Sequence, residues 1–248
     1  MTEHISQIFL DDSNATLPDS ILRASSTLKN LFRNHQHNIY RNEQLENFIE
    51  KYFDKDVLNA YKSLIPYAYK ADLGRYCLIY QLGGWYVDIS IMPICCIELP
   101  REIDFFYFYD LGHNLLLPEC QMSDCQNGFF YAKPRHPILK HAINLVVENC
   151  KEKNKGMTPL TLSGPGLFGK AIANYVPNRN IMHGHFMPLT PYHRRKNMAY
   201  VTPSGELLAW HKSAWLPENE AIKPGLEGLG ITSGNNYIQL WKNNQVFY

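Results

Sequence analysis

YKADLGRYCLIYQLGGWYVDISIMP, Tyr69 to Pro93, decides the fold. Leu73, Tyr76, Cys77 and Tyr80 recur at i, i+3, i+4 and i+7, which draws one apolar stripe and predicts a helix. Asp72 and Arg75 lie three apart on the flank of that stripe, so both heads can point the same way. Gly83-Gly84 ends the helix, because glycine takes the left-handed backbone that a helix terminus needs. Trp85 to Ile91 is rich in aromatic and β-branched residues and predicts a buried strand. Asp88 and Ser90, two apart, would share one face of it. A helix carrying an acid and a base, followed by a strand carrying a second acid, suits a polar ligand.

On the N-terminal side, Ile5 to Leu10 alternates and runs into Asp11-Asp12-Ser13, a strand and its loop. Leu17 to Phe32 predicts a helix with Pro18 near its start, Asn38 to Tyr40 a short strand, and Arg41 to Phe53 a second helix. That alternation points to an α/β fold with a largely parallel sheet. On the C-terminal side, Asp104–Asp110 and Asn127–Ala132 predict strands, and a helix starts at about Pro137. Ala199–Val201 and Leu207–Trp210 form a hairpin around Pro203-Ser204-Gly205. Residues 219–235 read as a glycine-containing loop, and Tyr237–Trp241 would pair with Gln245–Tyr248 across Asn243-Asn244.

A chain of 248 residues suits one domain. Its formal charge of +1 gives no reason to expect nucleic-acid binding. No apolar run approaches the ~20 residues needed to span a bilayer, and the start lacks a charged-then-apolar signal pattern. The expectation is a cytoplasmic protein. The six cysteines (77, 95, 96, 120, 125, 150) show no zinc spacing and read as free thiols.

Ala71, Asp72, Arg75, Tyr76, Gly83, Gly84, Tyr86 and Asp88 together resemble the sugar-binding region of the DXD-containing retaining glycosyltransferases of the GT-A fold. That group spans initiating mannosyltransferases, bacterial polysaccharide transferases and, distantly, the clostridial glucosylating toxins. Ser90 stands where the pattern has its last acid. Asn127, Ala132, Pro134, His136 and Pro137 match a second element of that family, Ser163-Gly164-Pro165 a turn before a helix, and His211 to Trp215 the closing segment. The resemblance implies one GT-A domain over 1–248. Residues 1–95 would hold the nucleotide sugar and 96–248 the acceptor side.

The resemblance also implies roles. Asp72 and Arg75 would bind sugar hydroxyls, with Asp88, Asn127 and Arg75 at the reacting centre. Tyr86, Ile8, Phe9, Lys212 and Trp215 would line the donor, and His211 and Ser213 would help at its diphosphate. Asp88, Ser90, His211 and Ser213 would surround Mn²⁺ or Mg²⁺. A hydroxyl is a poorer ligand than a carboxylate for a hard cation, so the metal would be held weakly, bound through water, or replaced by basic side chains. Lys212 and Tyr192-His193-Arg194-Arg195-Lys196 could supply that charge, and we expect weakened metal dependence. The function implied is transfer of a hexose from a nucleotide-diphosphate sugar, UDP-sugar favoured, to a saccharide or lipid-linked acceptor in bacterial surface polysaccharide synthesis, with possible contact at the inner membrane face. The alternatives are an inactive nucleotide-sugar-binding protein and a protein-modifying effector. Taken singly, each residue has a plain reading: Asp72 and Arg75 a surface ion pair, Asp88 a turn former, His211 a half-buried histidine. Their joint order carries the functional reading.

Overall fold

The computed structural model describes residues 3–12, 16–111, 124–189, 197–216 and 236–248. Ser13, Cys120, the basic run 192–196 and the whole of the loop 219–235 lie outside the described residues. The first half runs β1 (His4–Ile8), α1 (Asp19–Leu31), β2 (Gln36–Tyr40), α2 (Asn42–Tyr52), α3 (Lys55–Ser63), α4 (Tyr67–Leu82), β3 (Gly84–Val87) and β4 (Met92–Pro93). The second half adds β5 (Phe105–Asp110), β6 (Cys125–Ala132), α5 (Pro137–Lys151), α6 (Pro165–Ala173), β7 (Ile181–Pro188), β8 (Met198–Val201), β9 (Leu207–Trp210), α7 (Lys212–Trp215) and α8 (Tyr237–Lys242).

The described strands form one mixed sheet in the order β2-β1-β3-β6-β5-β7-β8-β9-β4. Only β1/β2, β1/β3 and β5/β7 are parallel. The β3/β6, β5/β6, β7/β8, β8/β9 and β4/β9 pairs are antiparallel, so the sheet is not largely parallel as expected. In the second half the helices that separate described strands lie between β6 and β7, and β5 and β7 pair in parallel, while β8 and β9 follow one another through a short link of the kind that antiparallel pairing accepts.

The stretch 69–93 sits at the centre. Helix α4 is buried around its circumference from Tyr69 to Ile79, wider than the single stripe that the spacing predicts. It is packed among β1, β3, β6 and the helices α2, α3 and α5. Gly83 and Gly84 have φ of +69° and +88°, and a side chain at Gly84 would strike the His4 backbone carbonyl. The pair therefore ends the helix and lets β3 lie close against β1. In β3, Tyr86 joins the core shared with α4 to α6, while Trp85 and Val87 join the core on the opposite face.

The predicted strand over 85–91 ends at Val87. Asp88 N donates to Gly128 O at 2.7 Å, and Ile91 N turns back to Asp88 O at 2.9 Å. Asp88 and Ser90 therefore sit in a turn and do not share a strand face. Beyond the turn, β4 joins β9 at the far edge of the sheet. Six strand steps from β3 to β4 would span about 29 Å in a flat sheet. Five residue steps from Val87 to Met92 reach at most about 18 Å. The sheet must curl until β4 comes near the end of β3, which brings α7 over the same turn.

At the C-terminus, Tyr237–Lys242 is a helix and does not form the expected hairpin strand. Asn236 caps it, its Oδ1 accepting from Gln239 N at 3.1 Å, and the Trp241 indole donates to Lys155 O at 2.9 Å. Gln245–Tyr248 pairs elsewhere: Phe247 bridges Leu64, and Ile65 N donates to Val246 O at 3.0 Å. Cys77, Cys125 and Cys150 are buried free thiols, while Cys95 is half-buried and Cys96 exposed.

Candidate active site

The mid-segment of α4, the turn after β3 and the start of β6 meet in one polar cluster. Asp72 is buried and receives hydrogen bonds on both oxygens, from Asn127 Nδ2 at 2.8 Å and from Ser163 Oγ at 2.9 Å. Arg75 bridges the acids, with Nη2 3.1 Å from Asp72 Oδ1 and Nη1 3.3 Å from Asp88 Oδ1. Its Nη1 also donates to Asn127 O at 2.9 Å, its Nε donates to Ala71 O at 3.2 Å, and its guanidinium lies over the Tyr86 ring at 4.7 Å. Tyr86 donates its hydroxyl to Asp88 Oδ1 at 2.7 Å. Asn127 Nδ2 also donates to Tyr76 OH at 2.9 Å, and Tyr76 in turn donates to Ser163 O at 2.8 Å. Side chains predicted from separate motifs thus converge.

The electrostatics follow from burial. Burial pushes the Asp72 carboxyl upward, while Arg75, Ser163 and Asn127 pull it down. Burial opposes the Arg75 charge, but Asp88, Tyr86 and Asp72 around it hold it above the ordinary guanidine value. Asp88 differs from its neighbours in access: its side chain is 39% exposed, against 7% for Arg75. Asp88 can therefore touch a ligand directly, with Arg75 and Tyr86 fixing its direction.

The roof is α7. Trp215 Nε1 donates to Ser90 O at 3.1 Å, which ties this helix to the Asp88–Ser90 turn. Lys212 is three residues before Trp215, hence on the same helical face. Burial pushes Lys212 down to about 8, while Asp88 pulls the other way. His211 caps the helix, with Nδ1 accepting from Ser213 N at 3.2 Å and lying 3.0 Å from Ser213 Oγ. Burial and Lys212 push His211 down to about 4, so it is neutral at pH 7. Since a backbone N–H can only donate, the imidazole proton sits on Nε2.

Ile8 and Phe9 are core residues, 5% and 1% exposed, so their side chains are spent on packing and only their backbone is left for a ligand. Phe9 also carries the Arg41 guanidinium at 4.4 Å over its ring, and Arg41 pairs with Asp11 at 2.8 Å.

Three contributors were not predicted as site residues. Ser163 completes the shell of Asp72. Gly128 leaves room for Asp88, whose Oδ2 would lie only 2.6 Å from an added Cβ. Asp110, fully buried, accepts from Gln126 Nε2 at 2.5 Å and pulls on His211 from the end of β5. In the sequence Asp110 shows as an acid ending a strand and Ser163 as part of the Ser163-Gly164-Pro165 turn of the resemblance; Gly128, inside a predicted strand, gave no signal.

The donor set expected for a divalent cation does not fit one here. Asp88 Oδ1 is engaged by Tyr86 and Arg75, Ser90 brings no charge and its carbonyl is taken by Trp215, and His211 and Ser213 satisfy each other. Among the described residues, no group of three or more His, Cys, Asp or Glu side chains is placed to hold a metal.

Residues 18–106, which include Asp72, Arg75 and Asp88, match the family described as "Glycosyltransferase sugar-binding region containing DXD motif". Uncharacterized glycosyltransferase L373 of Acanthamoeba polyphaga mimivirus is 22% identical over 188 residues, covering 73% of this chain and 71% of that protein. Among solved structures, PaToxG Glycosyltransferase superposes with a TM-score of 0.53 at 16% identity, over 71% of this chain and 70% of that one, a likeness of fold. A matched sugar-binding region that contains the acid–arginine cluster, together with that relative and that fold, supports a glycosyltransferase.

Proposed function

We propose that the chain transfers a hexose from a nucleotide-diphosphate sugar to a saccharide acceptor, with retention at the anomeric carbon, on a GT-A-type scaffold. UDP-sugars are the favoured donors, and surface polysaccharide synthesis in a bacterial cytoplasm, at or near the inner membrane face, is the setting we assign. The observation that carries the reading is the convergence of Asp72, Arg75, Asn127 and the exposed Asp88 in one hydrogen-bonded cluster.

In the reaction the bond from the anomeric carbon to the diphosphate oxygen breaks, and its electron pair leaves with the phosphate. The acceptor hydroxyl oxygen forms the new bond and gives its proton to the departing phosphate oxygen. Positive charge develops on the sugar ring and negative charge on the leaving group. Asp88 is the acid with access to the ligand, and Asp72, Arg75 and Asn127 hold the polar wall against which sugar hydroxyls are oriented. Tyr86 and Ser163 keep those groups in place.

A thermal-shift screen of nucleotide sugars, followed by donor-consumption assays with saccharide acceptors, tests the proposal. A donor that raises the melting temperature and is consumed faster with acceptor is expected. Asp88→Ala should abolish consumption without unfolding the protein. Binding without any consumption would instead indicate a nucleotide-sugar-binding protein.

A further inference from the structure

We infer that Lys212 does the work of a divalent cation in this chain: its ammonium, on the helix held over the Asp88–Ser90 turn, receives the diphosphate of the donor, and donor binding needs no metal. The inference rests on the proposed nucleotide-sugar reading and goes beyond it by assigning the charge that holds the leaving group.

Three observations carry it. The first is the donor set. A hard divalent cation takes about six oxygen ligands with charged carboxylates among them. Of the expected ligands only Asp88 is an acid, and its Oδ1 is already shared by Tyr86 O–H at 2.7 Å and Arg75 at 3.3 Å. The second is the position of Lys212. The indole of Trp215 is anchored on Ser90 O at 3.1 Å, which fixes α7 over the Asp88–Ser90 turn. Lys212 shares that face of the helix, over the turn that carries Asp88. A cation is therefore already built into the segment that covers the turn where the resembled pattern has its metal acids.

The third is the cation already in place. Arg75 pairs with both acids, 3.1 Å from Asp72 and 3.3 Å from Asp88, so the carboxylates that would draw in a divalent ion already have a partner. An arriving diphosphate finds the Lys212 ammonium, a donor suited to phosphate oxygens. Ser90 fits this arrangement: a second carboxylate in the turn would pair with Lys212 and compete with the diphosphate for it.

The test uses the full chain stripped with EDTA, with UDP and GDP as probes, read by calorimetry and thermal shift. UDP or GDP should bind in EDTA with the same Kd, within about twofold, as in saturating Mn²⁺ or Mg²⁺. Lys212→Met should weaken that binding by at least ~10-fold, and Lys212→Arg should recover part of it. Circular dichroism and the melting temperature of the unliganded variants check that they remain folded. Binding that appears only with Mn²⁺ or Mg²⁺ overturns the inference and leaves the glycosyltransferase reading standing. Metal-independent binding that Lys212→Met does not weaken also overturns the assignment to Lys212. Failure of both nucleotides and their sugar derivatives to bind in either condition overturns the underlying reading as well.

Discussion

Gly128→Ala separates a role in fixing Asp88 from a role in holding the fold. A Cβ at position 128 would lie 2.6 Å from Asp88 Oδ2. Ordinary contact between heavy atoms begins near ~3.5 Å, so the carboxylate must retreat by roughly 0.9 Å. Gly128 is not in the left-handed region, so alanine adds no backbone strain there. The Asp88 side chain is 39% exposed and can swing towards water, which keeps the stability cost small, below about 1 kcal/mol. For a chain of this size that is a fall of no more than ~2–4 °C in Tm. The swing takes Asp88 Oδ1 away from Tyr86 at 2.7 Å and Arg75 at 3.3 Å, the two contacts that aim it. A misplacement near 1 Å at a reacting centre costs on the order of 10²-fold in turnover. The assay is donor consumption at saturating and subsaturating donor, alongside a melting curve. Turnover within about threefold of wild type would refute the reasoning, because the positioning of Asp88 would then not matter. A large fall in Tm would refute it differently, by showing that Asp88 cannot yield.

Arg75→Met should destabilise the protein by about 3–5 kcal/mol, since it leaves Asp72 buried without its cation; chemical denaturation measures this. His211 is lowered to about 4 in the fold against about 6.5 when unfolded, so the unfolded chain takes up the extra proton between those values. Stability should therefore fall as the pH drops from 6.5 towards 4, by up to about 3 kcal/mol, and His211→Asn should flatten that slope. Gly84→Ala should prevent folding altogether, because φ of +88° and the His4 carbonyl both exclude a side chain; soluble yield and circular dichroism decide it. Ser163→Ala should cost about 1–2 kcal/mol by leaving one oxygen of Asp72 without its donor, seen as a lower denaturation midpoint.

The parts of the site that could be read from the sequence are those with local grammar. Asp72 and Arg75 are one helical turn apart, Gly83-Gly84 punctuates the helix, and Asn127 begins an apolar strand. Other parts depend on distant segments meeting. Ser163 reaches Asp72 across 91 positions, and nothing near Ser163 signals that contact. The turn at Asp88 was read as strand because Trp85 to Ile91 has strand propensity throughout, whereas the chain must leave the sheet there to reach β9. Tyr237–Trp241 shows the same bias: aromatic and β-branched residues favour a strand, but the Asn236 cap and the packing of Trp241 against Lys155 select a helix. Strand β7 escaped notice because its half-exposed residues, Ile181 to Pro188, do not alternate cleanly. The parallel-sheet expectation came from the first 90 residues, and it failed where β3 pairs antiparallel with β6 and where β8 and β9 pair antiparallel through a short link.

The short crossing from Val87 to Met92 has a consequence for variation in this protein. It ties the middle of the sheet to its outermost strand through one short turn, and the partly exposed acid sits at its first residue. Removing one residue would reverse which face Met92 and Pro93 present to β9 and drag the acid with them; adding one would let the two sheet regions drift apart. Natural variants of this chain should therefore gain or lose residues in other connections while keeping the spacing from Gly84 to Pro93 constant.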